Sequence, residues 1–130
     1  MHEKLVRQKT QFENALARFQ ELLEPKNMVE RDAMVQRFEF TFDLGWKTLK
    51  SLLEDEYSLE APTPLQAFQE GIRIGLIPDS PVWLMMRDMR NLTSHSYSEA
   101  TAVKLALQAK EFYGMFERLK DLFDSTGQSV

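Results

Sequence analysis

The sequence predicts an all-α protein, an antiparallel bundle of four medium-to-long amphipathic helices and one short one. Two observations predict it. Apolar residues recur at spacings of three and four along most of the chain. The five prolines stand at 25, 62, 64, 78 and 81, where they divide the chain into helical lengths. Short connections between such helices make neighbours antiparallel.

The first helix is expected from about Glu3 to Glu24, with Leu5, Phe12, Leu16, Phe19 and Leu23 on one stripe. Pro25-Lys26-Asn27 ends it and starts the second, from about Met28 to Tyr57. The main stripe of the second helix is Val35, Phe38, Phe42, Gly45/Trp46, Leu49 and Leu53. Phe40 and Leu44 lie off that stripe, because two residues past Phe38 is ~200° around a helix. A helix apolar on two sides calls for cover on two sides, one of them from a partner chain. Thr63 as cap and Pro64 at the first position open a short third helix carrying Leu65, Phe68, Ile72 and Leu76, with Gly75 as terminator. Ser80 and Pro81 open the fourth, whose core face is expected to be Val82, Met85, Met89 and Leu92. Thr93 to Ser98 has no helical apolar pattern and is expected to be a loop. Ser98 then caps the fifth helix, where Leu105, Ala109, Phe112, Phe116, Leu119 and Phe123 form the stripe, and Asp124 to Val130 is expected to fray.

A length of 130 residues fits one domain, 1–130, and no repeat, low-complexity linker or boundary interrupts it. Apolar residues make up 43% of the chain and nine are Phe, enough for a core without staples. With no cysteine, disulfide frameworks, thiolate zinc sites and Cys nucleophiles are excluded. The charged N-terminus lacks a following apolar stretch, and no run approaches the ~18 apolar residues of a membrane helix. These features predict a soluble, cytoplasmic protein without membrane contact. Net charge is −4, spread evenly: residues 1–65 carry 9 basic and 12 acidic side chains, residues 66–130 carry 7 and 8. That is not the footprint of a duplex-binding protein, so any RNA must be held by a local pocket.

Of the two histidines, His2 stands in the terminus and is expected to be inert, whereas His95 follows a helix that carries Trp83, Arg87 and Arg90. Those three form a stripe of their own, ~130° from the Met85/Met89 face, so Arg90 is expected to point away from its own core. A loop can bring His95 back towards it; in a continuous helix the two would stand ~140° apart and not converge. An arginine beside a histidine suits phosphodiester chemistry. A neutral imidazole takes a proton from a ribose 2′-hydroxyl near pH 7, and a guanidinium forks onto phosphoryl oxygens. Asn91 and Tyr97 add hydrogen-bonding groups, and Tyr97 a stacking face for a base. By spacing alone, a helix-ending Arg followed by a solvated His remains the simpler account of the same residues.

The segment Arg90-Asn91-Leu92-Thr93-Ser94-His95-Ser96-Tyr97 resembles the Arg-x4-His-x-Tyr signature of HepT-like toxins, within the wider HEPN superfamily. Arg37 to Lys50 resembles the second-helix block of the nucleotidyltransferase substrate-binding family, and Pro64 to Leu76 its short third helix. The resemblance spans about residues 8 to 122. It implies an up-and-down four-helix bundle with an extra short helix, and a homodimer that brings the Arg/His motifs together. It also implies a separate small nucleotidyltransferase as partner. Carried over, Arg90 and His95 would be the catalytic residues of a metal-independent ribonuclease that needs no cofactor. Asn91 would support them, and Tyr97 would accept AMP from an antitoxin partner. Arg37, Glu39, Trp46 and Lys47 match a family block without an assigned role; Trp46 lies on the core stripe, Lys47 and Lys50 on a solvated face, and Arg87 has no matching role. Two alternatives stay open beside the toxin: a non-catalytic nucleotide- or substrate-binding subunit of a two-component nucleotidyltransferase, and a dimeric bundle with a vestigial site.

Overall fold

A computed structural model describes residues 3–95 and 97–126. His2, Ser96 and the last residues of the expected tail, 127–130, lie outside the described residues. Among the described residues five helices follow in order: α1 (Glu3–Gln20), α2 (Met28–Tyr57), α3 (Pro64–Arg73), α4 (Val82–His95) and α5 (Glu99–Ser125). They form an up-and-down antiparallel four-helix bundle of α1, α2, α4 and α5, with the short α3 set against α2 and α4. Among the described residues no helix is long and apolar enough to cross a membrane.

The caps are local chemistry. The side chains of Asn27, Thr63 and Ser98 accept from the backbone N–H groups of Glu30, Gln66 and Thr101, each satisfying a donor with no partner inside the helix. Glu30 also accepts from the Lys26 N–H at 3.1 Å, closing the loop around the start of α2. After α3, Gly75 has φ +79°, a conformation glycine enters without penalty, and the Leu76 N–H returns to the Gly71 carbonyl at 2.8 Å.

Packing follows the expected stripes of α1, α2 and α5. Phe12, Phe19, Phe38, Phe42, Phe112, Phe116 and Phe123 are all buried and meet largely edge-on or tilted, as ring quadrupoles prefer. Gly45 lets α2 approach α1 closely: a Cβ there would stand 2.9 Å from the Phe12 ring. On the second side of α2, Leu44 is partly buried against the core, while Phe40 remains 56% exposed.

Three expectations need correction. First, α1 ends at Gln20, not Glu24. Pro25 disfavours helical backbone just before it, and Leu22 and Leu23 pack onto the core from a turn instead. Second, α4 does not stop before Thr93 but continues to His95. The hydroxyls of Thr93 and Ser94 donate to the Arg90 carbonyl, at 3.0 and 3.1 Å, so the polar run bonds within the helix it was expected to end. Third, α4 buries Trp83, Met86, Met89 and Thr93, while Met85 and Leu92 are exposed. The helix is therefore rotated by roughly 70° from the expected face, at 100° per residue. Trp83 decides this. Its ring stacks on Phe68 at 5.1 Å, and its indole N–H donates to the Pro78 carbonyl at 2.9 Å, so the largest side chain of the helix is buried without an unsatisfied donor.

Candidate functional site at the α4–α5 junction

The rotation of α4 decides where Arg90 goes. It does not point away from its own bundle; it reaches across to α2. Its Nε donates to Asp43 Oδ1 and its Nη2 to Asp43 Oδ2, both at 3.0 Å, the two-pronged match of guanidinium to carboxylate. Its Nη1 donates to Glu39 Oε2 at 2.9 Å and also to the Ser94 hydroxyl oxygen one turn along α4. The hydrogen bond to Asp43 is the main reason the guanidinium is held even more firmly protonated than usual; burial opposes this and Glu39 adds to it.

The motif tyrosine also ends on α2. The half-exposed Tyr97 donates its phenolic O–H to Asp32 Oδ1. Burial, then the hydrogen bond and charge of Asp32, push its pKa up to about 12, with Arg31 opposing. Arg31 pairs with Glu99 at 3.3 Å and ties the start of α5 to the start of α2. The junction is thus held down at both ends on one helix.

His95 and Asn91 are exposed. Because α4 runs unbroken to His95, the imidazole leaves the helix ~140° from the Arg90 side chain. One chain therefore brings Arg90 to Glu39, Asp43 and Ser94, and Tyr97 to Asp32, but does not bring Arg90 and His95 onto one face. Arg87 pairs with its neighbour Asp88 at 2.9 Å, and Arg37 with Glu21 and the Arg18 carbonyl, away from the junction. Trp46 is partly buried against the core, Lys47 is exposed, and Lys50 lies 3.9 Å from Glu54.

Asp32 and Asp43 were not singled out from the sequence, and Glu39 had no role. Their signal was present: spacings of 7 and 4 place all three on one face of α2.

Comparison with known proteins fits this architecture. The family described as "Nucleotidyltransferase substrate binding protein like" matches residues 7–124. The chain belongs to that family. A "Probable ribonuclease HepT" of Haemophilus influenzae is 34% identical over 82 residues, covering 60% of this chain and 56% of that relative. A Thermus thermophilus protein of known structure shares the fold with a TM-score of 0.80 and 33% identity, over 86% of this chain and 98% of its own. A solved Haemophilus influenzae structure, described as revealing the fold of a substrate binding domain of a nucleotidyltransferase, superposes with a TM-score of 0.67 at 24% identity, over 93% and 97% of the two chains. For this family member the fold is thus shared along nearly the whole chain.

The environment of Tyr97 gives a measurable signature. With a folded pKa of about 12 against about 10 for a free phenol, the fold favours the protonated form. That contribution is complete below pH ~10 and is lost as pH rises through 10 towards 12. Phenolate absorbance of the wild type minus that of Tyr97→Phe is expected to show Tyr97 still protonated at roughly pH 11. Ionisation at the ordinary value would mean that neither the burial of Tyr97 nor its Asp32 contact holds in solution.

Proposed function

We propose that this chain is the ribonuclease half of a toxin–antitoxin pair, working with a separate small nucleotidyltransferase and cleaving RNA as a homodimer without metal. The observation that carries the reading is the intact Arg90-x4-His95-x-Tyr97 motif at the α4–α5 junction, its guanidinium held in one orientation and its imidazole open to solvent. The relative described as "Probable ribonuclease HepT" supports the same chemistry.

In this reaction a ribose 2′-oxygen attacks the adjacent phosphorus, its proton passing to a neutral imidazole. The bond from phosphorus to the 5′-oxygen breaks, the leaving oxygen takes a proton, and a 2′,3′-cyclic phosphate remains. His95 is the base or acid, Arg90 offers positive charge to the phosphoryl oxygens, and Asn91 supports them. Arg90 and His95 diverge on one helix, so a complete centre takes the arginine of one copy and the histidine of another across a two-fold axis. Tyr97 is the residue proposed to be modified by the partner: its phenolic oxygen attacks the α-phosphorus of ATP, loses its proton and displaces pyrophosphate, and the attached AMP obstructs the approach of RNA to the motif.

The test is incubation of the purified chain with single-stranded RNA in EDTA, with analysis of the product ends. Cleavage leaving 2′,3′-cyclic phosphates is expected. RNA that stays intact, with heat released on adding nucleotides, would replace the ribonuclease by a nucleotide-binding subunit.

A further inference from the structure

Arg90 has almost nothing left to offer a substrate. A guanidinium carries five N–H donors. Nε and one Nη2 hydrogen go to Asp43, and the two Nη1 hydrogens go to Glu39 and Ser94. One Nη2 hydrogen stays uncommitted. The Ser94 hydroxyl donates its own proton to the Arg90 carbonyl at 3.1 Å, so its oxygen faces the guanidinium as an acceptor only. The local charge is unfavourable as well: two carboxylates face one guanidinium, where an RNA phosphate would have to approach.

The two carboxylates are not equivalent. Asp43 makes a two-pronged contact that fixes both the position and the plane of the guanidinium. Glu39 makes a single contact through a longer side chain, and its part in holding the charge is smaller. A phosphate oxygen can replace one single-pronged carboxylate oxygen on Nη1 without disturbing the fork on the other side.

We propose that Asp43 is a positioning residue that sets the orientation of Arg90, and that Glu39 is a stand-in for substrate, occupying the donor that a phosphoryl oxygen of RNA takes on binding. This rests on the ribonuclease reading above. Removal of Asp43 leaves the guanidinium charged but free to turn, which weakens the reacting geometry. Removal of the charge on Glu39 relieves competition and repulsion at the phosphate position, which strengthens binding.

Steady-state kinetics on a short single-site fluorogenic oligoribonucleotide, in EDTA at fixed ionic strength, separate the two roles. Asp43→Asn is expected to lower kcat about 10- to 100-fold with little change in KM, and Asp43→Glu to recover part of it. Glu39→Gln is expected to lower KM about fivefold, with the change falling on KM. Were Asp43→Asn to melt out of the fold, Arg90→Lys, which keeps the charge and loses the fork, carries the same expectation for kcat. A wild type that cleaves RNA while both carboxylate variants shift kcat alike, or shift nothing, overturns this division of roles alone. A wild type that cleaves no RNA overturns the ribonuclease reading and this proposal together.

Discussion

Replacing His95 with alanine is expected to abolish RNA cleavage and leave the fold untouched. The imidazole is exposed at the last residue of α4. Alanine is at least as good a helix former, so stability should move by no more than about 0.5 kcal/mol. Activity should fall by roughly 10²- to 10⁴-fold, the usual worth of a positioned general acid or base. Cleavage assays beside thermal melts check both halves, and undiminished cleavage by His95→Ala would remove the imidazole from the mechanism. The divergence of Arg90 and His95 on one helix adds a sharper test. When His95→Ala and Arg90→Ala proteins are mixed and allowed to exchange subunits, half of the re-paired dimers hold one complete Arg/His pair. About a quarter of wild-type activity should return. No recovery after verified exchange would mean that the two residues do not meet across copies.

The elements that sequence reading found well are those whose pattern is set by one dominant face. α2 and α5 bury their heptad-like Phe and Leu stripes as expected, and Asn27, Thr63 and Ser98 cap where short polar side chains precede an apolar run. α4 was misjudged because two stripes competed on one short helix. Val82, Met85 and Leu92 look more apolar than a stripe containing Arg87 and Arg90. Yet Trp83 has a carbonyl for its N–H and Phe68 for its ring, and Arg90 has two carboxylates on α2. Those partners lie 47 and 51 residues from Arg90 in sequence, and Asp32 lies 65 from Tyr97. The motif residues were legible because they cluster in eight positions; their carboxylate partners were not, because only the packing of α4 and α5 onto α2 brings them near. The continuation of α4 through Thr93 and Ser94 was hidden for a related reason. Hydroxyls satisfied by the helix's own carbonyl look, in sequence, like a loop.

Phe38→Ala is expected to be the most damaging single change to stability. Its ring is fully buried and stands 6.1 Å from Phe19, 6.1 Å from Phe42, 5.5 Å from Phe112 and 6.0 Å from Phe116, so it joins α1, α2 and α5 at one point. Truncation removes the buried ring and leaves a space that four other rings cannot all close, at about 3–5 kcal/mol. Domains of this kind are stable by about 5–15 kcal/mol in total, so roughly a fifth or more of the margin goes, and the melting temperature should fall by roughly 10–25 °C. Phe40, two residues on, is 56% exposed, and its truncation should cost less than about 1 kcal/mol. Urea unfolding of the two variants therefore tests the rotational setting of α2. That setting also turns Glu39 and Asp43 towards α4, since they stand on the same rigid helix as Phe38. Equal losses for Phe38→Ala and Phe40→Ala would mean that α2 is turned differently, and the carboxylate clamp on Arg90 would fall with it.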